Sequence, residues 1–291
     1  MSIHPFITGL SSEEIRQLQE AILINTAAAL SEDIGPGDLT ASLLPAERRA
    51  RARVISREDA VLCGTAWFEA CFHALDAEAV IRWHAREGES IHPNQLLCEI
   101  EGNARALLSA ERPALNFLQT LSGTATVTRR YAEAIQGTGA VVMDTRKTLP
   151  GLRLAQKYAV RVGGGANQRT GLYDGILIKE NHISAAGGIA QVLEAAFALN
   201  AAVPIQIEVE NLSELSEALA AGATLVLLDN FSPEQMREAV ALTGGRAVLE
   251  ASGNITLDNI RSVAETGVQR ISIGSLTKHV RAVDLSMRVE I

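Results

Sequence analysis

Residues 205–230 read IQIEVENLSELSEALAAGATLVLLDN, and this stretch indicates the fold. It begins and ends with an apolar run, IQIEVE at 205–210 and LVLLDN at 225–230. Between the two runs we predict a helix from Ser213 to about Gly222, because the apolar residues recur at helical spacing. Nearly continuous apolar strands that alternate with helices predict a parallel sheet buried on both faces.

The same alternation extends in both directions from this stretch. Four more apolar runs have the character of buried strands: VVMDT at 141–145, GILIK at 175–179, AVLEAS at 247–252 and ISIG at 271–274. Ser232 and Gln235 form a capping box around Pro233 at the start of one intervening helix, and Thr256 begins another. Six strand–helix units favour a barrel over an open sheet, although periodicity alone does not decide between them.

Polar residues stand at the carboxyl end of each of these strands. They are Asp144, Lys179, Glu208 or Glu210, Asp229, Ser252 and Gly274. In a (β/α) barrel these ends converge on one mouth, where active sites lie. A solvated strand end or a helix cap could explain any single one, but six in register with both signs of charge favour a functional site. Glu208 and Glu210 alternate by two, so they point to the same side, and carboxylates beside an anion site suit Mg²⁺.

The stretch 144–182 carries seven cations against three anions, whereas the whole chain has a net charge of −8. Arg153, Lys157 and Arg161 recur every four residues in a helical pattern, which predicts a solvated helix face. The other four cations lie at strand ends or in a glycine-rich loop, where they suit a small polyanion: Arg146, Lys147, Arg169 and Lys179. The glycines at 163–165 in that loop either bring the backbone close to a ligand or make a turn.

The first 115 residues predict a small α+β domain. Ser11 and Glu14 form a capping box before a helix that should run to about Leu30. Short strands are predicted at 52–56, 61–63, 79–84 and 96–100. A second long helix is predicted from about Arg105 to Leu121, ending at Ser122–Gly123.

The composition argues against several classes of function. The chain has 291 residues and no run of about 20 apolar residues that could span a membrane. Its net charge of −8 argues against non-specific nucleic-acid binding. Cys63, Cys71 and Cys98 form no CxxC pair, and residues 1–15 show no secretory signal, so we expect reduced thiols and a cytoplasmic location.

Strings from nearly the whole chain are similar to one known family. They are EDIGPGDLT at 32–40, ERPALNFLQTLSG at 111–123, DTRKTLPGLR at 144–153, GGGANQR at 163–169, LIKENH at 177–182, IEVEN at 207–211, LLDNF at 227–231 and TKHVRAVDLSMR at 277–288. The chain resembles the type II phosphoribosyltransferases, and more narrowly the bacterial quinolinate phosphoribosyltransferases. The resemblance implies an α/β sandwich at 1–115, an open (β/α) barrel at 116–279, and residues 280–291 packed back on the first domain.

The resemblance also implies an activity. Enzymes of this family join quinolinate to 5-phosphoribosyl-1-pyrophosphate (PRPP) and form nicotinate mononucleotide, CO₂ and pyrophosphate in de novo NAD synthesis. Mg²⁺ accompanies PRPP as the expected cofactor. The expected assembly is a homodimer in which the neighbouring subunit completes each active site.

Site residues follow from the resemblance position by position. The quinolinate-binding positions are matched by Arg146, Gln168, Arg169 and Lys179, by Arg112 reaching in from the partner chain, and by Lys147 beside them as a catalytic residue. The acids that hold Mg²⁺-PRPP and face the ribose are matched by Glu208 and Asp229. The phosphate end is matched by Ser252, Gly253, Gly274 and His279.

One position departs from the family pattern. The family's loop usually reads Asn-His-Arg, and here it reads Asn167-Gln168-Arg169. The usual histidine helps to hold a pyridine carboxylate. Gln168 can still donate an N–H, but it cannot become cationic. We therefore expect activity on quinolinate to persist, with a KM that depends less on pH than it would with histidine.

Two other functions remain open on the sequence. A paralogue with the same fold could phosphoribosylate another acid, such as nicotinate, without releasing CO₂. A non-catalytic binding or regulatory protein could keep the barrel, but the acids and cations would then be vestigial.

Overall fold

The computed structural model describes residues 10–290, and the chain divides into two compact units. The first unit comprises the described residues up to Arg129, together with Thr148–Gly163 and the described residues from Thr277 onward. The second unit comprises Arg130–Lys147 and Gly164–Leu276. Within residues 10–290, no helix has the length and apolar character needed to cross a bilayer. Residues 1–9, on which the expected lack of a secretory signal partly depends, lie outside the described part.

The helices and strands alternate regularly in the second half of the chain. In chain order the elements are α1 (Ser12–Ile34), a 3-10 turn (Ala41–Leu43), β1 (Arg49–Ser56), β2 (Ala60–Val61), α2 (Thr65–Leu75), β3 (Val80–Trp83), β4 (Ser90–Ile91), β5 (Leu96–Asn103), α3 (Ala104–Ala134), β6 (Val141–Met143), α4 (Arg153–Val162), β7 (Ile176–Ile178), α5 (Glu180–Ala186), α6 (Ile189–Ala198), β8 (Ile205–Val209), α7 (Leu212–Ala220), β9 (Leu225–Asp229), α8 (Pro233–Thr243), β10 (Val248–Ser252), α9 (Ile260–Ala264), β11 (Arg270–Ser272), α10 (Ser275–Lys278) and β12 (Leu285–Glu290). The six strands predicted after residue 140 are all present, as β6 to β11.

The first unit is built on an antiparallel sheet in the order β12–β1–β5–β3. In β1, exposed Arg51 and Arg53 alternate with buried Ala52 and Val54. This alternation is typical of a sheet that has one face on the core and the other in water. The core includes the large aromatic residues of α2, among them the fully buried Trp67. The last strand of the chain, β12, therefore completes the sheet that the first strand begins.

The second unit is built on a parallel sheet in the order β6–β11–β10–β9–β8–β7. The first of these six strands along the chain pairs with the last, as it does in a barrel. The next strand along the chain, β7, forms the opposite edge of the sheet. An open barrel requires this order, because a barrel opened between its first two strands keeps every other pairing in sequence. The predicted fold class, an open (β/α) barrel with an N-terminal α/β domain, is confirmed.

The predicted end of the second long helix at Gly123 is wrong. α3 continues through Gly123 to Ala134, and a Cβ at this glycine would overlap the carbonyl oxygen of Arg281. The glycine therefore permits close packing and does not end the helix. α3 also passes without a break through residue 115, where a domain boundary is predicted. The domain boundaries at 115 and 279 stay a prediction.

The predicted solvated face of α4 is also wrong. Lys157 is buried, and Arg153 and Arg161 are half-buried. Residues 155–160 are buried all round the helix, so its four-residue charge spacing does not mark a side that faces water. Gly163 follows as the C-cap and donates its N–H to a carbonyl oxygen in the last turn of the helix.

Three further helices differ from the prediction. α7 begins after Asn211, which caps it through its side chain, and does not begin at Ser213. α9 is shorter than predicted, because the Asn259 side chain accepts the N–H of Thr256 and closes a turn before it. α2 was not predicted, since its aromatic residues suit a strand as well as a helix.

Candidate active site

The carboxyl ends of β6 to β11, with the residues that directly follow them, form what we call the rim of the second unit. Ser252 pairs with Asp229 at the ends of β10 and β9. Ile178 pairs with Ile207, so Lys179 and Glu208 stand level on the neighbouring strands β7 and β8. The parallel register therefore places the predicted residues of four adjacent strands together, at the end of the sheet where those strands reach their carboxyl termini.

An ion pair joins two of the predicted residues at the rim. Lys179 Nζ lies 2.9 Å from Glu208 Oε2 and 3.2 Å from Glu208 Oε1. The Glu208 side chain is only 11% exposed, whereas that of Lys179 is 45% exposed. The ion pair therefore holds a largely buried carboxylate in place. Glu210 lies beyond the end of β8 and is exposed, so only Glu208 of the two acids is held in this way.

Asp144 ties the loop after α4 to the end of β6. Its buried carboxylate accepts the backbone N–H of Gln168 at 2.8 Å and the side-chain amide of Asn167 at 2.7 Å. Met143 and Ala166 form an isolated parallel bridge just before this point. The predicted residue at the end of β6 thus shapes a loop, which the sequence alone did not show.

Arg169 projects from the same loop, and its side chain is anchored to the backbone of that loop. Its guanidinium NH1 donates to the carbonyl oxygen of Gly175 at 2.8 Å. Asp174 closes the loop by accepting the N–H groups of Thr170 and Gly171, each at 2.8 Å. Burial and then the positive charge of Arg146 lower the pKa of Arg169. The negative charge of Asp174 acts in the opposite direction, and arginine remains protonated throughout.

Asp229 and Ser252 meet through Asn230. The side-chain amide of Asn230 donates to Asp229 Oδ2 at 2.8 Å, and its backbone N–H donates to the carbonyl oxygen of Ser252 at 2.9 Å. The next residue, Gly253, has a φ of +98°, and a Cβ there would overlap the Asn230 side chain. Glycine is therefore required at 253, both for its backbone conformation and for this close approach.

Lys147 and Gly274 also come together at the rim. A Cβ on Gly274 would lie 3.0 Å from Lys147 Cδ, so the aliphatic part of the lysine passes directly over the glycine. Lys147 is exposed. Two predicted residues belong to the first unit instead: Arg112 on α3 and His279 just after α10, and both are exposed.

A buried polar cluster that was not predicted from the sequence lies one layer below the rim. Glu250 is fully buried, and its carboxylate accepts hydrogen bonds from Gln168, Gln206 and Ser272. We call these four residues the Glu250 network. Gln206 and Glu250 stand two residues before Glu208 and Ser252, so each shares a face with a rim residue. Polar residues inside otherwise apolar strands were the signal that could have revealed them.

The residues at the rim that could hold a magnesium ion together with substrate phosphates are Glu208 and Asp229. Among the described residues, no group of three or more His, Cys, Asp or Glu side chains is placed to hold a metal. Glu208 and Asp229 offer two carboxylates on neighbouring strands. Mg²⁺ commonly keeps several waters and is bound through one or two carboxylates plus phosphate oxygens. The cations and acids at the rim can therefore hold an anionic substrate and a metal–phosphate group side by side.

Two family descriptions match successive parts of the chain. "Quinolinate phosphoribosyl transferase, N-terminal domain" matches residues 38–122, and "Quinolinate phosphoribosyl transferase, C-terminal domain" matches residues 124–288.

Individual relatives agree with this assignment. The chain is 42% identical over 259 residues to the probable nicotinate-nucleotide pyrophosphorylase (carboxylating) of Bacillus subtilis, with 89% of this chain and 90% of that protein covered. It is 36% identical over 283 residues to quinolinate phosphoribosyltransferase (decarboxylating) 2a, mitochondrial, of Nicotiana tabacum, with 90% and 80% covered. The solved nicotinate-nucleotide pyrophosphorylase of Francisella tularensis superposes with a TM-score of 0.90 at 45% identity, with 93% and 96% covered. The chain belongs to the quinolinate phosphoribosyltransferase family.

Proposed function

We propose that this chain transfers the phosphoribosyl group of PRPP to quinolinate and releases CO₂ and pyrophosphate, forming nicotinate mononucleotide in de novo NAD synthesis. One observation carries the proposal beyond family membership. Arg169 is half-buried in the loop after α4, with Arg146 just after the end of β6, at a rim that also holds the Lys179–Glu208 ion pair. Several cations gathered at one place suit a dianion, and quinolinate carries two carboxylates.

The quinolinate site is the cationic side of the rim. Arg146, Arg169 and Lys179 bind the two carboxylates, since arginine can grip a carboxylate through two parallel N–H groups. Lys147 directly follows Arg146 in the chain and is the proposed catalytic lysine of this site. Arg112 is exposed on α3 and reaches the site of the partner subunit in a homodimer. A cytoplasmic location is part of the same proposal.

The PRPP site is the acidic side of the rim. Glu208 and Asp229 would hold the magnesium ion that PRPP carries, and such an ion would neutralise negative charge on the pyrophosphate group. The phosphate groups are bound by the residues that close the last two strands, Ser252, Gly253 and Gly274, whereas His279 belongs to the first unit and only the family resemblance supports a role for it.

The chemistry follows from charge. The quinolinate ring nitrogen attacks C1 of the ribose, and the bond from C1 to pyrophosphate breaks. Positive charge develops at C1, where Glu208 and Asp229 stabilise it. The ring nitrogen is now quaternary, so its positive charge stabilises the electron pair left on the neighbouring ring carbon when the carboxylate departs as CO₂. That carbon then takes up a proton from solvent, which gives nicotinate mononucleotide. The cationic groups hold both substrates in the orientation that this attack requires.

The test is an assay for nicotinate mononucleotide from quinolinate and PRPP, with and without Mg²⁺. We expect the product and CO₂ only when both substrates and Mg²⁺ are present. Nicotinate in place of quinolinate is the control, since a nicotinate-specific enzyme would form product from it without CO₂. Failure to consume PRPP at any Mg²⁺ concentration would show that the chain is not this enzyme.

A further inference from the structure

We infer that Glu250 is a positioning residue for the quinolinate site, and that it acts through Gln168. The inference concerns the Glu250 network below the rim, and it rests on the proposed function. It assigns to Gln168 the role of a link between a buried carboxylate and the loop that carries Arg169. Gln168 then supports the quinolinate site without itself donating its amide hydrogens to the substrate.

The carboxylate of Glu250 accepts hydrogen bonds from three side chains. Gln168 Nε2 donates to both carboxylate oxygens, at 2.6 Å to Oε2, and Gln206 Nε2 donates to Oε2 at 3.0 Å. The hydroxyl of Ser272 donates to Oε1. These donors come from side chains on three elements, β8, β11 and the loop after α4. A buried carboxylate needs such partners, because desolvation without them is costly.

The positions of these residues show that they belong to one layer. Gln206 lies on β8 and Glu250 on β10, with β9 between them. Neighbouring strands are about 4.8 Å apart, so the Gln206–Glu250 contact spans the width of β9. Both residues lie on the same strand faces as Glu208 and Ser252 of the rim. The Glu250 network therefore forms the layer of side chains directly below the proposed substrate site.

The side-chain amide of Gln168 donates its hydrogens within the Glu250 network. Its Nε2 carries two hydrogens, and three acceptor atoms surround it: both oxygens of Glu250 and Oε1 of Gln206 at 3.2 Å. Those hydrogens have no remaining capacity for a substrate carboxylate. The sequence had predicted that Gln168 contacts the substrate through this group.

Gln168 is instead fixed from two directions. Its backbone N–H is held by Asp144, and its side chain is held by Glu250. The next residue is Arg169, whose guanidinium is anchored to Gly175. A shift of the Gln168 side chain would therefore displace the backbone next to Arg169, a proposed carboxylate-binding residue.

The test compares the full-length chain with its Glu250→Gln variant. The substitution turns a double acceptor into a group whose own N–H₂ faces the amide donors of Gln168 and Gln206. We expect the KM for quinolinate to rise about 10- to 100-fold while the KM for PRPP changes less than about twofold, since small misplacements of binding groups cost this much. The Kd for quinolinate, measured by calorimetry without PRPP, should rise in parallel.

A double-mutant cycle identifies the route. Gln168→Met keeps the length of the side chain and removes its amide, so it should raise the same KM and Kd. Glu250→Gln added to Gln168→Met should then have little further effect, because the link is already broken. Independent, multiplying effects would overturn the inference. If Glu250→Gln does not fold, Gln168→Met alone must show the quinolinate-selective rise, and an unchanged Kd overturns the inference.

The matched control is Glu87→Gln in the first unit. Glu87 is also a buried carboxylate, and it accepts hydrogen bonds from residues at the start of α2. This variant should lower the Tm and leave both KM values unchanged. An equal rise in the quinolinate KM in both variants would mean a general loss of stability and would contradict the positioning role. Lack of product from the unaltered chain would instead overturn the proposed function, and the calorimetric Kd would still decide the role of Glu250.

Discussion

The two larger sheets among the described residues are both buried on at least one face, but the side chains that they bury differ. The antiparallel sheet of the first unit places small and apolar residues such as Ala52 and Val54 on its inner face. The parallel sheet of the second unit places Gln206, Glu250 and Ser272 in its interior. Buried polar groups are costly unless they are fully paired, so their presence marks the second sheet as the one that organises a site.

The buried carboxylates of Glu87 and Glu250 differ in the same way as the two sheets. Glu87 accepts the backbone N–H groups of Gly64 at 2.7 Å and Thr65 at 3.1 Å, and the Thr65 hydroxyl at 2.7 Å. It caps a helix and holds backbone in place. Glu250 accepts only side-chain donors in the hydrogen bonds described above, so it holds side chains in place. We therefore expect changes in the first unit to alter stability and changes around the rim to alter kinetics.

The largest expected effect is on turnover and comes from the acids of the rim. Glu208→Ala and Asp229→Ala should each lower kcat by about 100- to 1,000-fold, because charge stabilisation at the reacting carbon is lost. The measurement is kcat at saturating quinolinate and PRPP. Glu210→Ala is the matched control, since Glu210 is exposed just beyond the same strand. Near-full turnover in Glu208→Ala and Asp229→Ala would contradict the roles given to these acids.

The next effect is on binding of the first substrate. Arg169→Ala should raise the KM for quinolinate by about 10- to 100-fold, the cost of losing hydrogen bonds to a charged group. The KM for PRPP should change much less. Arg237→Ala, on the exposed side of α8, removes a surface arginine of the same unit and should leave both values unchanged. A rise in the PRPP KM alone would place Arg169 in the other substrate site.

The third-largest effect is expected on the stability of the first unit. Glu87→Gln should lower the free energy of unfolding by about 1–3 kcal/mol, because one acceptor for the buried N–H groups is replaced by a donor. Thermal or denaturant unfolding measures the change. Unaltered stability, or a lowered kcat without lowered stability, would break the division of roles between the two units.

A smaller loss of stability is expected at an exposed cap. Ser11 accepts the N–H of Glu14, and Glu14 accepts the N–H of Ser11, in the capping box at the start of α1. Ser11→Ala should lower the free energy of unfolding by about 1 kcal/mol. Comparison with Glu87→Gln measures how much burial adds to the value of a cap. Equal losses would show that burial adds nothing.

The smallest effect concerns pH. Gln168→His places an ionisable ring against Glu250, with an unperturbed pKa of about 6.5. The ring is protonated below its pKa, so the KM for quinolinate should rise about two- to fivefold as the pH increases through that pKa, the scale of a weak ion pair. The unaltered chain should show less pH dependence over the same range. If Gln168→His leaves the KM and its pH profile unchanged, residue 168 does not influence the charge of the site.

Much of the fold was predictable because its signals are local. The Ser232 capping box with Pro233 at the start of α8 is present as predicted, since its partners are three residues apart. The six strands of the second unit follow from short apolar runs. The helix end predicted at Gly123 and the exposed position predicted for Lys157 are wrong because they depend on signals that are not local. Gly123 packs against Arg281, which lies far along the chain, and the burial of Lys157 depends on how α4 packs, which its local charge spacing does not encode.

The candidate site shows the same division. The sequence by itself determined where the polar residues stand, because a strand that ends in water or at a site must end in polar side chains. It also determined the charge of the cationic loop. Only the tertiary structure decided which of these residues meet: β6 pairs with β11, Lys179 with Glu208, and the amide of Gln168 with Glu250. Strand order and register set these contacts, and they depend on the packing of the whole sheet, which no single segment encodes.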